Sequence, residues 1–204
     1  MIFDSSFQQE SHISSICKKA YTAIRSIGLI RKYLDCTSAK KLVNALVTSH
    51  LDYCNSLLYG LPSTKLQRLQ RVQNTAARVI MKIRKFDHIT PTLKCLHWLP
   101  VSRRIEYKIL TLTFKCLDSS NNQAPDYLSD MIVKYNPARS LRSSSKQLLT
   151  VPNTRLLGYG DRSFEMAAPV LWNDLPYALR NSNSFEIFKK DLKTYLFKKS
   201  YGDS

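Results

Sequence analysis

Glycine and acidic residues are both scarce in this 204-residue chain. With only five glycines, no Gly-rich loop of the kind that cradles phosphates is present. The 15 acidic residues include no adjacent pair and no D-x-D or E-x-E pair. A polymerase-type site needs clustered carboxylates that hold two metal ions about 4 Å apart. We therefore expect no catalytic activity, no metal site and no cofactor.

The cysteines and histidines show no spacing typical of a zinc site or of a catalytic nucleophile. The five cysteines are odd in number and widely spaced, and no pair has C-x-x-C spacing, which disfavours a structural zinc site. They are Cys17, Cys36, Cys54, Cys95 and Cys116. We interpret most of them as small core residues in a reducing compartment. The four histidines do not complete a nucleophile motif with a cysteine or serine.

Long apolar runs are also missing. No stretch approaches the roughly 20 apolar residues of a membrane span. The first ten residues lack the basic start and apolar run of a signal peptide. These absences predict a soluble intracellular protein of the nucleus or cytoplasm.

Positive charge is the property that the chain has in excess. Lys and Arg outnumber Asp and Glu by 31 to 15, giving a net charge of +16. The apolar content of 44% is nevertheless that of a folded globular protein. A folded domain this basic typically meets a polyanion, because cations that bind a phosphate lattice release its condensed counterions. Nucleic acid is the favoured partner; a role in solubility alone and an anionic membrane are the alternatives.

The first half of the chain predicts three successive helices. They span about 11–33, 37–59 and 63–85, with Thr37 or Ser38 as the N-cap of the second. The first helix has apolar residues at spacings of three and four, namely Ile13, Ile16, Ala20, Ile24 and Ile27.

The third helix has the clearest amphipathic pattern. One face carries Leu66, Leu69, Val72, Ala76, Val79, Ile80 and Ile83. The opposite side carries Arg68, Arg71, Arg78, Lys82 and Lys85. A solvated surface is the plainer interpretation of this stripe. However, no acidic residue precedes Asp87 within the stripe to form i,i+4 pairs, which favours contact with phosphates.

The second half predicts fewer regular elements. After a short helix or turn between Pro91 and Pro100, helices are expected over about 101–118, 127–133 and 185–199. A strand pair is expected over 147–157. Asn183 or Ser184 is the expected N-cap of the last helix, with Asn183 and Glu186 forming a capping-box-like pair. Basic residues outside the third helix that are candidates for nucleic-acid contact are Arg103, Arg104, Arg139 and Arg142. The fold class is mainly α.

Six segments together resemble the end of non-LTR (LINE-type) retrotransposon reverse transcriptases of the jockey and related clades. They are SHLDYCNSLLYGLP, LQRLQRVQNTAARVI, HWLPVSRRIEYKIL, PARSLRSS, GDRSFEMAAPVLWNDLP and FKKDLKTYLF, which run in order through residues 49–197. The resemblance implies a remnant of the palm over 1–10, a three-helix thumb-like bundle over 11–87, and a helical C-terminal extension with a short irregular or β segment over 88–204.

In that family the thumb grips the template–primer duplex. The resemblance therefore implies binding to the backbone of RNA or an RNA–DNA hybrid, with target DNA as a further partner of the extension. The aspartate-bearing palm and the endonuclease have no counterpart here, so we expect a truncated polymerase fragment. Two alternatives stay open. One is a stand-alone helical protein-interaction module with a partner surface around Trp98 and Trp172, and the other is a non-functional remnant.

Overall fold

The computed structural model describes residues 9–118, 124–136, 147–153 and 160–202. Over these residues the chain is mostly helical, and the only β pairing within them is an isolated bridge between Lys134 and Leu149. The prediction of a mainly α fold is confirmed.

The chain divides into two compact units. One comprises residues 1–104 and 197–204, and the other comprises 105–196. The helices of the first unit are α1 (Glu10–Ile30), α2 (Cys36–Val43), α3 (Ser49–Asp52), α4 (Ser63–Met81) and α5 (Thr90–Cys95). Those that follow are α6 (Val101–Leu117), α7 (Asp126–Ser129), α8 (Phe164–Asn173), α9 (Tyr177–Arg180) and α10 (Phe185–Tyr201). The predicted boundary at 87/88 rests on the family resemblance and stays a prediction.

The first helix forms as its periodicity predicts. All five apolar positions named for it are buried, and α1 makes its main packing contact with α4. The helix ends at Ile30 and continues as one 3-10 turn to Tyr33. Burial of this isoleucine stripe against α4 forms the core of the first unit.

The N-cap of the second helix is Asp35, so the prediction of Thr37 or Ser38 is wrong. The Asp35 carboxylate accepts hydrogen bonds from the backbone N–H of Thr37 at 3.0 Å and of Ser38 at 3.2 Å. A carboxylate at this position satisfies two free donors and is favoured by the helix dipole. The Ser38 side chain first of all, and then these backbone N–H groups, lower the pKa of Asp35.

The second predicted helix is not continuous. After α2 the chain forms a π-helical turn over Asn44–Thr48, then α3. Cys54 then adopts a left-handed backbone (φ 53°) and Asn55–Leu58 form a 3-10 turn. A π turn rotates the following residues relative to an α-helical projection. The residues buried here include Ala39, Val43, Val47, Leu51 and Leu58, whereas Leu46 and Leu57 are exposed.

The third helix ends at Met81, so the predicted end at Lys85 is wrong. Lys82 takes a left-handed conformation (φ 53°), and the N–H groups of Lys82 and Ile83 both donate to the carbonyl of Arg78. A left-handed residue just after the last turn is a common helix stop, usually occupied by glycine. Because this position is a lysine and not a glycine, the sequence does not indicate that the helix ends here.

Arg31 binds the C-terminal end of α4. Its guanidinium donates to the carbonyls of Val79 at 3.0 Å and Ile80 at 2.6 Å, and also to that of Leu34 at 2.6 Å. The last carbonyls of a helix have no partner within the helix, and they carry its negative dipole end. The buried Arg31 therefore satisfies these acceptors and ties the chain after α1 to the end of α4.

The final turn of α10 belongs to the first unit. The Tyr201 hydroxyl donates to the carbonyl of Trp98 at 2.8 Å, and the Phe197 ring lies 5.9 Å from that of His97. Burial raises the pKa of Tyr201 to about 12. The phenol thus stays protonated as a hydrogen-bond donor at neutral pH.

The second unit packs around an aromatic cluster. The Phe114 and Phe188 rings stack at 4.5 Å, and Trp172 lies 5.8 Å from Phe188. The indole N–H of Trp172 donates to the carbonyl of Gln147 at 2.9 Å. The side chain of Asn173 exchanges two hydrogen bonds of 2.9 Å with the backbone of Leu149. Both polar contacts hold the 147–149 segment against α8.

The predicted strand pair over 147–157 takes a different form in its described part. Leu149 and Lys134 form an antiparallel β-bridge. The backbone N–H of Tyr135 donates to the carbonyl of Leu148, and the N–H of Thr150 donates to the carbonyl of Val133. Residues 154–157 lie outside the described residues.

Two predicted helices of the second half differ in their details. The helix expected at 127–133 is the single turn α7. In α10 the Ser184 hydroxyl accepts from the N–H of Ile187 at 3.3 Å, which decides between the two predicted caps in favour of Ser184.

The cysteines are less buried than predicted. All five are free thiols; Cys36 and Cys95 are exposed, and the other three are half-buried. Burial raises the pKa of the Cys17 and Cys116 thiols. These two are therefore weak nucleophiles at neutral pH.

We predict that Arg31→Met lowers the free energy of unfolding by about 2–4 kcal/mol, because three charge-assisted hydrogen bonds are lost and two helix-end carbonyls lose their partner. Urea unfolding followed by far-UV circular dichroism measures the change. The neighbouring exposed Lys32, changed to Met, is the matched control and should have little effect. Equal losses for the two variants would contradict the role assigned to Arg31.

Candidate nucleic-acid interface

The C-terminal half of α4 lines an open groove in the first unit. The groove has a volume of about 710 Å³. Its lining residues are Tyr21, Gly28, Arg31, Arg71, Asn74, Thr75, Arg78, Val79, Lys82, Ile83 and Lys85. The structure thus brings together four of the five basic residues predicted on the third helix.

Helical spacing explains most of this arrangement. Residues at i+3 and i+4 lie on one side of a helix, so Arg71, Asn74, Thr75 and Arg78 follow each other along the groove. Beyond the helix, the left-handed turn at Lys82 changes the direction of the chain. Lys85 lines the groove although it lies outside the helix.

The cations of the groove differ in their exposure. Arg71, Lys82 and Lys85 are exposed, whereas Arg78 is half-buried. The Nη2 atom of Arg78 donates to the carbonyl of Asp87 at 3.2 Å, and its buried Nε atom has no hydrogen-bond partner within the described structure. The Lys85 ammonium lies 5.9 Å from the centre of the Phe86 ring.

Carboxylates are absent from the lining of this groove, as far as the described residues go. The acidic residue closest in sequence is Asp87, whose carboxylate accepts from the backbone N–H of Arg84 at 2.9 Å. No ion pair involves Arg71, Lys82 or Lys85 anywhere in the described ranges. Their charges therefore face the groove without local neutralisation.

Arg68 is placed differently from the other four. It forms an ion pair with Glu10 and donates to the Ser14 hydroxyl at 3.0 Å. The Lys65 ammonium also lies 3.8 Å from a carboxylate oxygen of Glu10. At this end the stripe therefore does have an acidic partner, although none is available at i,i+4 within the helix. The partner comes from α1, so a search for i,i+4 pairs within one helix could not find it.

Arg104 is held by a carboxylate as well. Its Nε and Nη2 atoms donate to the two Asp52 oxygens at 2.8 Å and 2.6 Å, in the two-pronged geometry typical of strong arginine–carboxylate pairs. Arg103 is half-buried and is engaged in a contact of its own. Arg139 and Arg142 lie outside the described residues. Of the four basic residues predicted outside the third helix, the two that the structure describes, Arg103 and Arg104, do not line the groove.

Several lining residues were not predicted from the sequence. Arg31 lines the groove, but its guanidinium is committed to backbone carbonyls. Tyr21 is 42% exposed, so its ring is accessible at the edge of the groove. Both residues come from the chain segment packed beside α4, and only the tertiary contact of α1 with α4 reveals them.

Comparison with protein-family models, with curated proteins and with solved structures finds no match. Within the described part of the chain, no helix combines the length and the apolar character that crossing a membrane requires. The same residues contain no group of three or more His, Cys, Asp or Glu side chains able to hold a metal ion. Because four of the predicted basic residues line it, the groove is the main candidate site among the residues predicted from the sequence.

We predict opposite effects of Lys82→Gly on stability and on nucleic-acid affinity. Glycine adopts the left-handed backbone without the Cβ clash, so the free energy of unfolding should rise by roughly 1 kcal/mol. Affinity for a polyanion should fall because one groove cation is lost. Lys85→Gly removes the same charge at a position without positive φ and should not raise stability. A Lys82→Gly protein that is less stable than the parent would contradict the assigned helix stop.

Proposed function

We propose that the groove binds the phosphate backbone of RNA or an RNA–DNA hybrid, and that the chain is the thumb and C-terminal extension of a non-LTR retrotransposon reverse transcriptase. The observation that carries the binding proposal is the set of cations Arg71, Arg78, Lys82 and Lys85 on one open groove whose described lining contains no carboxylate. The motif series along residues 49–197 carries the family proposal.

The charge distribution supports a phosphate ligand. Each lysine or arginine that neutralises a phosphate releases counterions, so binding is driven by entropy and weakens with salt. Four contacts correspond to a slope of about −3 to −4 in log K against log salt concentration on a duplex. The net charge of +16 adds a long-range field that accelerates association.

The chemistry of the lining supports backbone contact without sequence recognition. Guanidinium and ammonium groups and the Asn74 amide are groups that proteins place against phosphate and sugar. Contacts of this kind fix the position of a duplex but carry little sequence information. This is the task that the thumb performs in the family that the sequence resembles.

The proposal assigns no catalytic step to this chain. Its part is to hold a nucleic acid whose chemistry is carried out by a separate palm. Binding of target DNA by the extension stays a prediction, since two of its candidate residues lie outside the described structure.

We predict that changing Arg71, Arg78 and Lys82 together to Gln weakens binding to an RNA–DNA hybrid by at least tenfold. The reason is that roughly three phosphate contacts are lost, so the salt slope should become shallower by about 2–3. Fluorescence anisotropy at several salt concentrations measures both quantities, with single-stranded RNA and duplex DNA as comparison ligands. Arg68→Gln should have a smaller effect because Arg68 is already paired with Glu10.

The matched control changes the exposed Lys18, Lys19 and Lys41 to Gln, which removes the same charge away from the groove. If this control weakens binding as much as the groove variant, the general field and not the groove binds the nucleic acid. A flat anisotropy response at low salt would refute the binding proposal and leave the ancestry untouched. Binding insensitive to salt would favour an apolar protein-interaction surface.

A further inference from the structure

The second unit contains a separate pocket that the proposed function does not use. Its volume is about 390 Å³, within the range of small-ligand sites. The pocket lies beside the C-terminal end of α6, the bridged segments around Lys134 and Leu149, and the turn after α9. The lining residues that matter for its chemistry are Phe114, Lys134, Tyr135, Asn136, Arg180 and Asn183.

Arg180 is the unusual residue of this pocket. Its side chain is buried, with 8% of the residue exposed, and the Nε and Nη1 atoms have no hydrogen-bond acceptor within the described structure. An arginine stays protonated in proteins, so this is a buried positive charge with unsatisfied donors. Burial lowers the pKa of Arg180. A buried charge of this kind is costly unless an anion pairs with it.

Among the described residues, no carboxylate pairs with Arg180. Asp118 is the one carboxylate among the described lining residues; it forms a contact of its own, and no ion pair joins it to Arg180. In the sequence, the segments 119–123, 137–146 and 154–159, which lie outside the described residues, contain no Asp or Glu and include four further basic residues. They are Arg139, Arg142, Lys146 and Arg155. Arg180 thus has no anionic partner among the described residues, and the pocket that it lines has room for a bound anion.

The other lining groups indicate what kind of anion fits. Lys134 supplies a second cation, and two cations of different geometry suit a phosphate group better than a single carboxylate. Tyr135 and Phe114 provide aromatic surface, while Asn136 and Asn183 provide amide donors and acceptors. Aromatic and amide groups together suit a planar heterocycle with polar edges.

We propose that this pocket binds a nucleotide, with its phosphate on Arg180 and Lys134 and its base against the aromatic and amide groups of the lining. The proposal is independent of the groove in the first unit and of the family resemblance. The nucleotide has two sources of the same chemistry, a free mononucleotide or the phosphorylated end of a nucleic-acid chain.

Intrinsic fluorescence offers a direct test with the full chain. In a Trp98→Phe background, Trp172 is the only tryptophan and lines the pocket. The groove cations Arg71 and Arg78 are also changed to Gln in this background, which lowers binding in the first unit. Adenosine monophosphate should change the Trp172 signal saturably. Adenosine, which lacks the phosphate, should bind at least roughly tenfold more weakly than adenosine monophosphate.

Two variants locate the site. Arg180→Gln and Lys134→Gln should each weaken binding of adenosine monophosphate, by roughly tenfold or more for Arg180. Lys134 is exposed, so its variant keeps the test valid if Arg180→Gln does not fold. Absence of saturable binding, or binding unchanged by both variants, would overturn the proposal. Equally tight binding of adenosine would overturn it too, because the phosphate would then contribute nothing.

Stability without ligand gives an independent readout. Arg180→Met keeps the volume of the stem and removes the unpaired charge, so the Tm of the ligand-free protein should rise by a few degrees. An arginine with a purely structural role would give a lower Tm, and that result would contradict the proposal.

The source of the nucleotide is identified by competition. A short RNA with a terminal phosphate should displace adenosine monophosphate if the ligand is a chain end, whereas the same RNA without that phosphate should not. Failure of both RNAs to compete would assign the pocket to free nucleotides. Either pattern supports the pocket, and equal displacement by both RNAs would overturn its dependence on a terminal phosphate.

Discussion

The hydrogen bonds from the Arg31 guanidinium to the end of α4 are the interaction on which the candidate interface depends. They satisfy the carbonyls of Val79 and Ile80, which the helix itself cannot pair. The same guanidinium binds the carbonyl of Leu34, so the chain that leaves α1 is fixed beside the end of α4. Just beyond this end of the helix, Lys82 has a left-handed backbone and lines the groove. One buried arginine thus positions the exposed cations around it.

Some described cations are bound within the chain, whereas others lack such a partner. Arg31, Arg68 and Arg104 are bound by carbonyls or carboxylates of the chain and contribute to its folding. The groove cations Arg71, Lys82 and Lys85 form no ion pair in the described structure, and the Nε and Nη1 donors of the buried Arg180 have no acceptor there. The cations that make up the net charge of +16 therefore do not contribute equally to the binding of an external anion. Where the chain leaves positive charge without a partner, an external anion lowers the free energy most.

Local periodicity predicted the features that depend on one helix at a time. The isoleucine stripe of α1, most of the apolar face of α4 and the row from Arg71 to Arg78 all follow from a repeat of 3.6 residues. Features set by tertiary contact or by backbone geometry were not predictable in this way. Residue spacing alone cannot predict the π turn at 44–48, the end of α4 before Lys82 or the ion pair of Arg68 with Glu10. The buried state of Arg180 likewise depends on packing between segments distant in sequence.

Chemical-shift mapping with an isotope-labelled full chain and a short RNA–DNA hybrid tests the central claim most directly, because it reports the location of binding as well as its existence. The account predicts that, at low salt, the largest shifts fall on backbone amides and side chains of the groove, around Arg71, Arg78 and Lys82, and decline as salt is raised. Shifts confined to residues 105–196, or no shifts at low salt, would contradict it.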